Sequence, residues 1–297
     1  MIKNFIKRHS MEYYEQANLK RYNTYRIEVI CNYLVIPKDR EELRILLKYL
    51  VEHEEKYIVL GNGSNVIFKE ALYDGVVILL NKLNKVNIDD DTVNVEAGYS
   101  LQRLAVECCN MGLSGLEFAC GIPGFMGASI AMNAGAYNSS LAEVVESVEV
   151  INPDFEIVTM TNSDLEFDYR DSFFKKNKGY VIISAVLKLE RGSKEEILEK
   201  ISKRRVKRLE TQPLDMPSAG SVFRNPKDMP ASGALIEQCG LKGYDIGGAM
   251  ISDKHANFIV NKGGATGRDI VKLIDKAKTE VKNQFGVDLV LEQIIVD

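Results

Sequence analysis

Strand-like and helix-like segments follow one another along this chain in no regular order, and that irregularity constrains its fold more than any single residue. In residues 39–53, Leu43, Leu46, Leu47 and Leu50 recur at the spacing of one helical face, which predicts an amphipathic helix lying on a sheet. A strand-like YLVIP precedes it, and the short apolar runs KYIVL and VIFKE flank Gly61-Asn62-Gly63-Ser64-Asn65. The plain reading of that loop is a strand-turn-strand corner, since Asn and Gly tolerate positive φ. It is also longer than a two-residue turn needs, and it offers a row of N–H and amide donors suited to a pyrophosphate.

Next come VVILL, a hairpin in VNIDDDTVNVEAG turned by its three aspartates, and a helix opening at Ser100 and closed by Gly112. A second hairpin turns at Asn152-Pro153-Asp154, and residues 180–189 read as a long strand. A charged helix over 193–209 leads into the proline-marked TQPLDMPSAGSVFRNP, followed by a short helix, a strand in HANFIVN, an amphipathic helix over 268–285 and a last strand VDLVLEQIIV. No G-x-G-x-x-G stands between a strand and a helix, so a Rossmann dinucleotide fold is not supported. The class expected is α+β, with a boundary near residue 191.

Composition narrows the partners. The chain has 297 residues, 45% hydrophobic and 27% charged, enough for two domains and a sizeable core. A net charge of −4 gives no electrostatic footprint for nucleic acid or an anionic membrane. The N-terminus is broken by charges before any secretory apolar run, and residues 75–80 are too short a stretch to span a bilayer. A cytoplasmic protein is expected. Five cysteines in no disulfide or zinc spacing are expected to be reduced and buried, and three scattered histidines give no reason to expect a metal centre.

Glycines concentrate from Cys120 to Tyr137, CGIPGFMGASIAMNAGAY. Either they let backbone N–H groups approach a bulky polar ligand such as a phosphate or flavin, or they permit tight packing at a buried helix start. Three further residues stand out. Glu292, by strand alternation, shares a face with Val290, Ile294 and Val296, so it either needs a partner or sits at a sheet edge with its head in water. Arg170 lies among aromatics in FDYRDSFF, as a structural ion-pair partner or as a clamp for an anion. Ser221 is flanked by Gly220, which exposes its hydroxyl; alone it reads as a turn serine, and without a G-x-S-x-G context no serine-hydrolase elbow is indicated. A cation, a carboxylate and a hydroxyl together suit a reaction that builds negative charge beside a carboxylate and then delivers a proton to carbon.

The segments Asn23-Thr24-Tyr25-Arg26-Ile27, LGNGSNVIF, EFACGIPG, MNAGAY, YRDSFF, QPLDMPSAGSVFRNP, GLKGYDIGGAMISDKHANFIVN and FGVDLVLEQI, in this order and spacing, closely resemble the UDP-N-acetylenolpyruvoylglucosamine reductase family in its shorter form. The resemblance runs from about Asn23 to the end. It implies a two-lobed FAD-binding module of the vanillyl-alcohol oxidase type over 1–191, with lobes of about 1–70 and 71–191, and a smaller α+β substrate-binding domain over 192–297. It implies FAD contacts at Gly61, Asn62, Gly63, Ser64, Asn65, Gly121, Ile122, Pro123, Gly124, Gly127, Asn133, Gly135 and Ala136. Arg170, Ser221 and Glu292 match the catalytic arginine, proton donor and carboxylate, and Tyr137, Tyr169, Arg205 and Asn225 match positions towards the substrate.

The implied activity is reduction by NADPH, through FAD, of the enolpyruvyl ether of UDP-N-acetylglucosamine in peptidoglycan precursor synthesis, by a monomer. Other readings open at this point are a different FAD oxidoreductase on the same scaffold and a non-catalytic nucleotide-binding relative. The chain departs from the family pattern in having Glu28-Val29-Ile30 where many members carry a Gly-Gly pair. It departs again at Phe125, where a small residue is common, and at Gln293, where an aliphatic residue is usual.

Overall fold

The computed structural model describes residues 1–297. Its chain gathers into two compact units, one of Met1–Glu15, Tyr33–Asn62 and Gly75–Arg205, the other of Gln16–Asn32, Gly63–Asp74 and Val206–Asp297. The functional division expected at residue 191 is a different partition from this one. Helices and sheets are mixed in both units, as the α+β class requires.

In the first unit the helix Arg40–Glu52 starts where Asp39 can cap it, the carboxylate accepting from the backbone N–H groups of Glu41 and Glu42. Its buried face is Leu43, Leu46, Leu47 and Leu50, the stripe expected from spacing. Strand Tyr57–Leu60 pairs in parallel with Leu72–Leu79. A five-stranded antiparallel sheet follows, in the order Ile157–Thr161, Val145–Ile151, Val181–Lys188, Thr92–Glu96, Val86–Asp89. The aspartate-turned hairpin is therefore present, with Asp90 at φ 53°. Helix Leu101–Asn110 is capped by the Ser100 hydroxyl and followed by Gly112 at φ 74°. The apolar faces of these elements meet in one core that includes Leu104, Phe118, Met126, Val148 and Leu187.

In the second unit, strand Val66–Phe68 runs parallel with Ile294–Val296. The runs on either side of residues 61–65 are thus both strands, but they pair with different partners and make no hairpin. A three-stranded antiparallel sheet of Asp245–Ile246, Ala249–Ile251 and Ile259–Asn261 packs on the long helix Gly267–Phe285. That helix has a capping box between Thr266 and Asp269, ends at Gly286 with φ 69°, and buries Ile270, Leu273, Ile274, Ala277 and Val281.

The terminal strand is shorter than its apolar run suggests. It is regular only over Ile294–Val296, with a single bridge between Leu291 and Phe223 upstream. All five cysteines are free thiols; Cys31, Cys108 and Cys109 are buried, whereas Cys120 and Cys239 are half-buried rather than fully enclosed. No helix is long and apolar enough to cross a membrane.

Candidate active site

In the first unit the glycine-rich segment is stitched along residues 97–101. Leu101 N–H donates to Gly124 O at 2.9 Å, Met126 N–H to Tyr99 O at 2.9 Å, and Gly127 N–H to Ala97 O at 2.9 Å. A Cβ on Gly127 would stand 2.8 Å from that of Ala97, so packing alone demands glycine there. A Cβ on Gly61 would stand 2.8 Å from Ala128 Cβ and 3.8 Å from Phe125 Cβ. The start of the 61–65 loop and the segment after Gly124, predicted separately as cofactor loops, therefore meet.

Further along, Gly135–Ala136 pairs with Ser139–Ser140 around Tyr137 and Asn138, whose φ values of 57° and 62° make a tight hairpin turn. Asn133 is buried and fully engaged: its Nδ2 donates to Asp168 O at 2.8 Å and its Oδ1 accepts from Ala142 N–H at 3.0 Å. That side chain ties the Asp168–Asp171 turn to the segment before Gly135. Arg170, at φ 54°, donates from Nη2 to Gly135 O, and its guanidinium lies 5.2 Å from the Tyr169 ring centre. Asn133, Gly135, Tyr169 and Arg170 are thus one assembly. Beside it, Tyr137 donates to Arg204 O at 3.2 Å and its ring lies 4.6 Å from the Arg204 guanidinium. The basic-helix residue that reaches this group is Arg204; Arg205 points to solvent.

In the second unit, Ser221 to Arg224 is an extended segment held on both sides. Ser221 pairs with Phe258, Val222 N–H donates to Asn257 O at 2.9 Å, and Glu292 N–H donates to Val222 O at 2.8 Å. Ser221 and Glu292 therefore lie on neighbouring strands, one residue apart in register. The C-terminal part of the 61–65 loop joins them: Asn65 Nδ2 donates to Glu292 O at 3.2 Å and Ile294 N–H to Asn65 O at 2.9 Å. Gly63, at φ 62°, has Tyr22 O only 2.1 Å from where a Cβ would stand, which leaves glycine as the sole option. Asn225 is exposed, and its Oδ1 accepts from Ser232 N–H at 3.1 Å, so it helps to start the helix Ser232–Gln238.

Of the two readings of Glu292, a carboxylate among buried apolar neighbours or one at an edge, the first is not supported by its neighbours along the segment. Val290 is 57% exposed and Ile294 44%, so that face of the terminal segment looks outward. The buried member is Gln293, 3% exposed.

The chain matches the family profile described as UDP-N-acetylenolpyruvoylglucosamine reductase, C-terminal domain, over residues 212–296, and the one described as FAD binding domain over residues 31–161. It is 42% identical over 283 residues to the UDP-N-acetylenolpyruvoylglucosamine reductase of Caldanaerobacter subterraneus, covering 95% of this chain and 93% of that one. The chain belongs to the UDP-N-acetylenolpyruvoylglucosamine reductase family. The Clostridium botulinum reductase is 40% identical, covering 95% of this chain and 92% of its own. The crystal structure of the Thermus caldophilus reductase superposes with a TM-score of 0.82 at 34% identity, over 97% of this chain and 99% of that one.

The residues present fit the flavin that membership in this reductase family implies. In the first unit the contact of Gly61 with Ala128 puts two turns of small residues side by side, with Pro123 and Ala128 exposed and Gly61, Asn62, Gly121 and Ile122 half-buried. Neither 61–65 nor 121–127 contains a carboxylate, so a diphosphate would meet amide and backbone donors without like charge. Glu28, a departure from the family pattern, is paired with Lys20 at 2.8 Å, which holds its carboxyl below the ordinary range. Two features escaped sequence reasoning. Arg204 rather than its neighbour meets Tyr137, and Gln293 is a buried polar residue; only burial, which one sequence does not display, separates each from the residue beside it.

Proposed function

We propose that this chain is a monomeric cytosolic enzyme that uses FAD and NADPH to reduce the enolpyruvyl ether of UDP-N-acetylglucosamine to UDP-N-acetylmuramate for peptidoglycan synthesis. The observation that carries the reading is the register that sets Ser221 beside Glu292, through Glu292 N–H and Val222 O at 2.8 Å, in a chain of this family. FAD, when bound, supplies the two-electron chemistry that links NADPH to the substrate. Gly61, Asn62, Gly63, Ser64, Asn65, Gly121, Ile122, Pro123, Gly124, Gly127, Asn133, Gly135 and Ala136 build or brace its site. Residues 1–191 serve as the flavin module, and 192–297 as the substrate domain.

On the substrate, Arg170 stabilises negative charge as it builds on the carboxylate of the enolpyruvyl group, and the Glu292 carboxyl shares that work. The guanidinium is oriented by its bond to Gly135 O. Ser221 gives its hydroxyl proton to the adjacent carbon. Tyr137, Tyr169, Arg205 and Asn225 are assigned to the substrate side, with Arg204 added through its contact with Tyr137.

The test is anaerobic absorption spectroscopy of the flavin-loaded protein. Bleaching by NADPH and recovery with the enolpyruvyl nucleotide are expected, and Ser221→Ala is expected to bleach normally and fail to recover. A protein that neither carries nor takes up FAD would sink the reading.

A further inference from the structure

Gln293 is one of the buried polar residues of the second unit. Its Oε1 accepts from the Tyr25 hydroxyl at 2.9 Å, and its Nε2 donates to Ala219 O at 3.0 Å, with Gly220 O at 3.3 Å and Ser221 O at 3.4 Å also in reach. One NH₂ group thus faces three successive carbonyls. The curl that turns them inward passes through Gly220 at φ 75°, a conformation that suits glycine.

The amide has only one sensible orientation, because a flip would set a carbonyl oxygen against three others. Tyr25 anchors the far end. It is fully buried, and its own carbonyl accepts from Asn261 Nδ2 at 2.8 Å. Burial pushes its hydroxyl well above the ordinary tyrosine range, so that group stays a donor.

We infer that Gln293 is a positioning residue for Ser221: its amide fixes the backbone of residues 219–221 and so the direction in which the Ser221 hydroxyl points. The inference rests on the assignment of Ser221 as proton donor. An aliphatic side chain at this place would fill the volume but leave three carbonyls and the Tyr25 hydroxyl without their partner.

The test uses flavin-loaded full-length protein in anaerobic stopped flow, with Gln293→Leu, Tyr25→Phe and Ser221→Ala in parallel. Bleaching by NADPH should be unchanged in all three. Recovery with the enolpyruvyl nucleotide should slow roughly tenfold to a hundredfold in Gln293→Leu, the scale of loss from a misplaced reacting group. Its solvent deuterium isotope effect should rise as proton delivery becomes slower.

Tyr25→Phe should slow recovery less, and should add nothing on top of Gln293→Leu, because both act through one contact. It also serves if Gln293→Leu does not fold. Wild-type recovery and isotope effect in both variants would overturn the inference, as would an equal fall in both half-reactions. If Ser221→Ala itself recovers normally, the donor assignment fails first and the inference falls with it, an outcome told apart by that variant alone.

Discussion

The side-chain amide of Asn257 closes a two-way clamp on the backbone of Phe223: Nδ2 donates to Phe223 O at 2.8 Å while Oδ1 accepts from Phe223 N–H at 3.0 Å. Asn257 is buried, so neither backbone group has water as an alternative. Since Val222 also donates to Asn257 O, this one residue holds the segment that begins at Ser221. Asn257→Leu should cost about 2–5 kcal/mol, the penalty for two buried groups left unpaired. Urea unfolding would measure it, and a midpoint within error of wild type would show that the clamp contributes nothing.

Gly61 and Ala128 form a seam with no room for a methyl group, the position of a Gly61 Cβ lying 2.8 Å from Ala128 Cβ. Gly61→Ala should destabilise by roughly 1–3 kcal/mol through overpacking and lower the flavin retained on purification. The double variant Gly61→Ala, Ala128→Gly moves the methyl group across the seam and should regain most of the loss. It would fall short by about 0.5–1 kcal/mol for glycine within the helix Met126–Ala131. Failure of the second change to rescue would mean that Gly61 is needed for its backbone rather than for the seam.

The cysteines differ in a way that alkylation can read. Cys120 is half-buried and its thiol donates to Leu116 O at 3.9 Å; its closeness to Cys109 pulls the pKa of Cys120 below the ordinary thiol range and pushes that of Cys109 above it. Burial raises Cys108 to about 12 and Cys31 to about 11. With the thiolate as the reactive form, iodoacetamide at neutral pH should label Cys120 ahead of Cys31, Cys108 and Cys109. Because Cys120 adjoins Gly121, added FAD should slow its labelling, as peptide mass mapping would report. Equal labelling of Cys108 and Cys120 would contradict this order of reactivity.

What could be read from the residues in advance was whatever depends on near neighbours in the chain. The helices Arg40–Glu52 and Gly267–Phe285 announce themselves by apolar spacing and by caps at Asp39, Thr266 and Gly286. The glycine-rich loops were legible as loops, and Asn133 was expected to line a cofactor cleft. Its side chain is nevertheless spent on Asp168 and Ala142, contacts across 35 and 9 residues. Distance along the chain also hid the pairing of Val66–Phe68 with Ile294–Val296. At the end of the chain, alternation grouped Glu292 with Val290 and Ile294, but it could not say which face of the segment turns inward. The residue that turns inward is Gln293, whose partners Tyr25 and Ala219 lie 268 and 74 residues away.

His255 gives the second unit a pH dependence of definite sign. Burial, with Lys242 adding to it and Glu237 opposing, lowers its pKa from the ordinary 6.5. The neutral ring is also the form that the structure uses: Nδ1 accepts from Asn257 N–H at 3.2 Å, and the ring packs 4.9 Å from that of Phe258, edge to face. Between its lowered folded value and 6.5 the unfolded chain binds more protons than the folded one, so stability rises with pH through this window. The contribution is complete above 6.5 and is lost as pH falls through the folded value. Urea midpoints should therefore hold steady from pH 8 down to about 7 and decline below about 6.5, before the carboxylates titrate. His255→Asn keeps an acceptor for Asn257 and removes the titration, so its decline in this range should be shallower. A variant that declines as steeply as wild type would assign the acid limb to other groups.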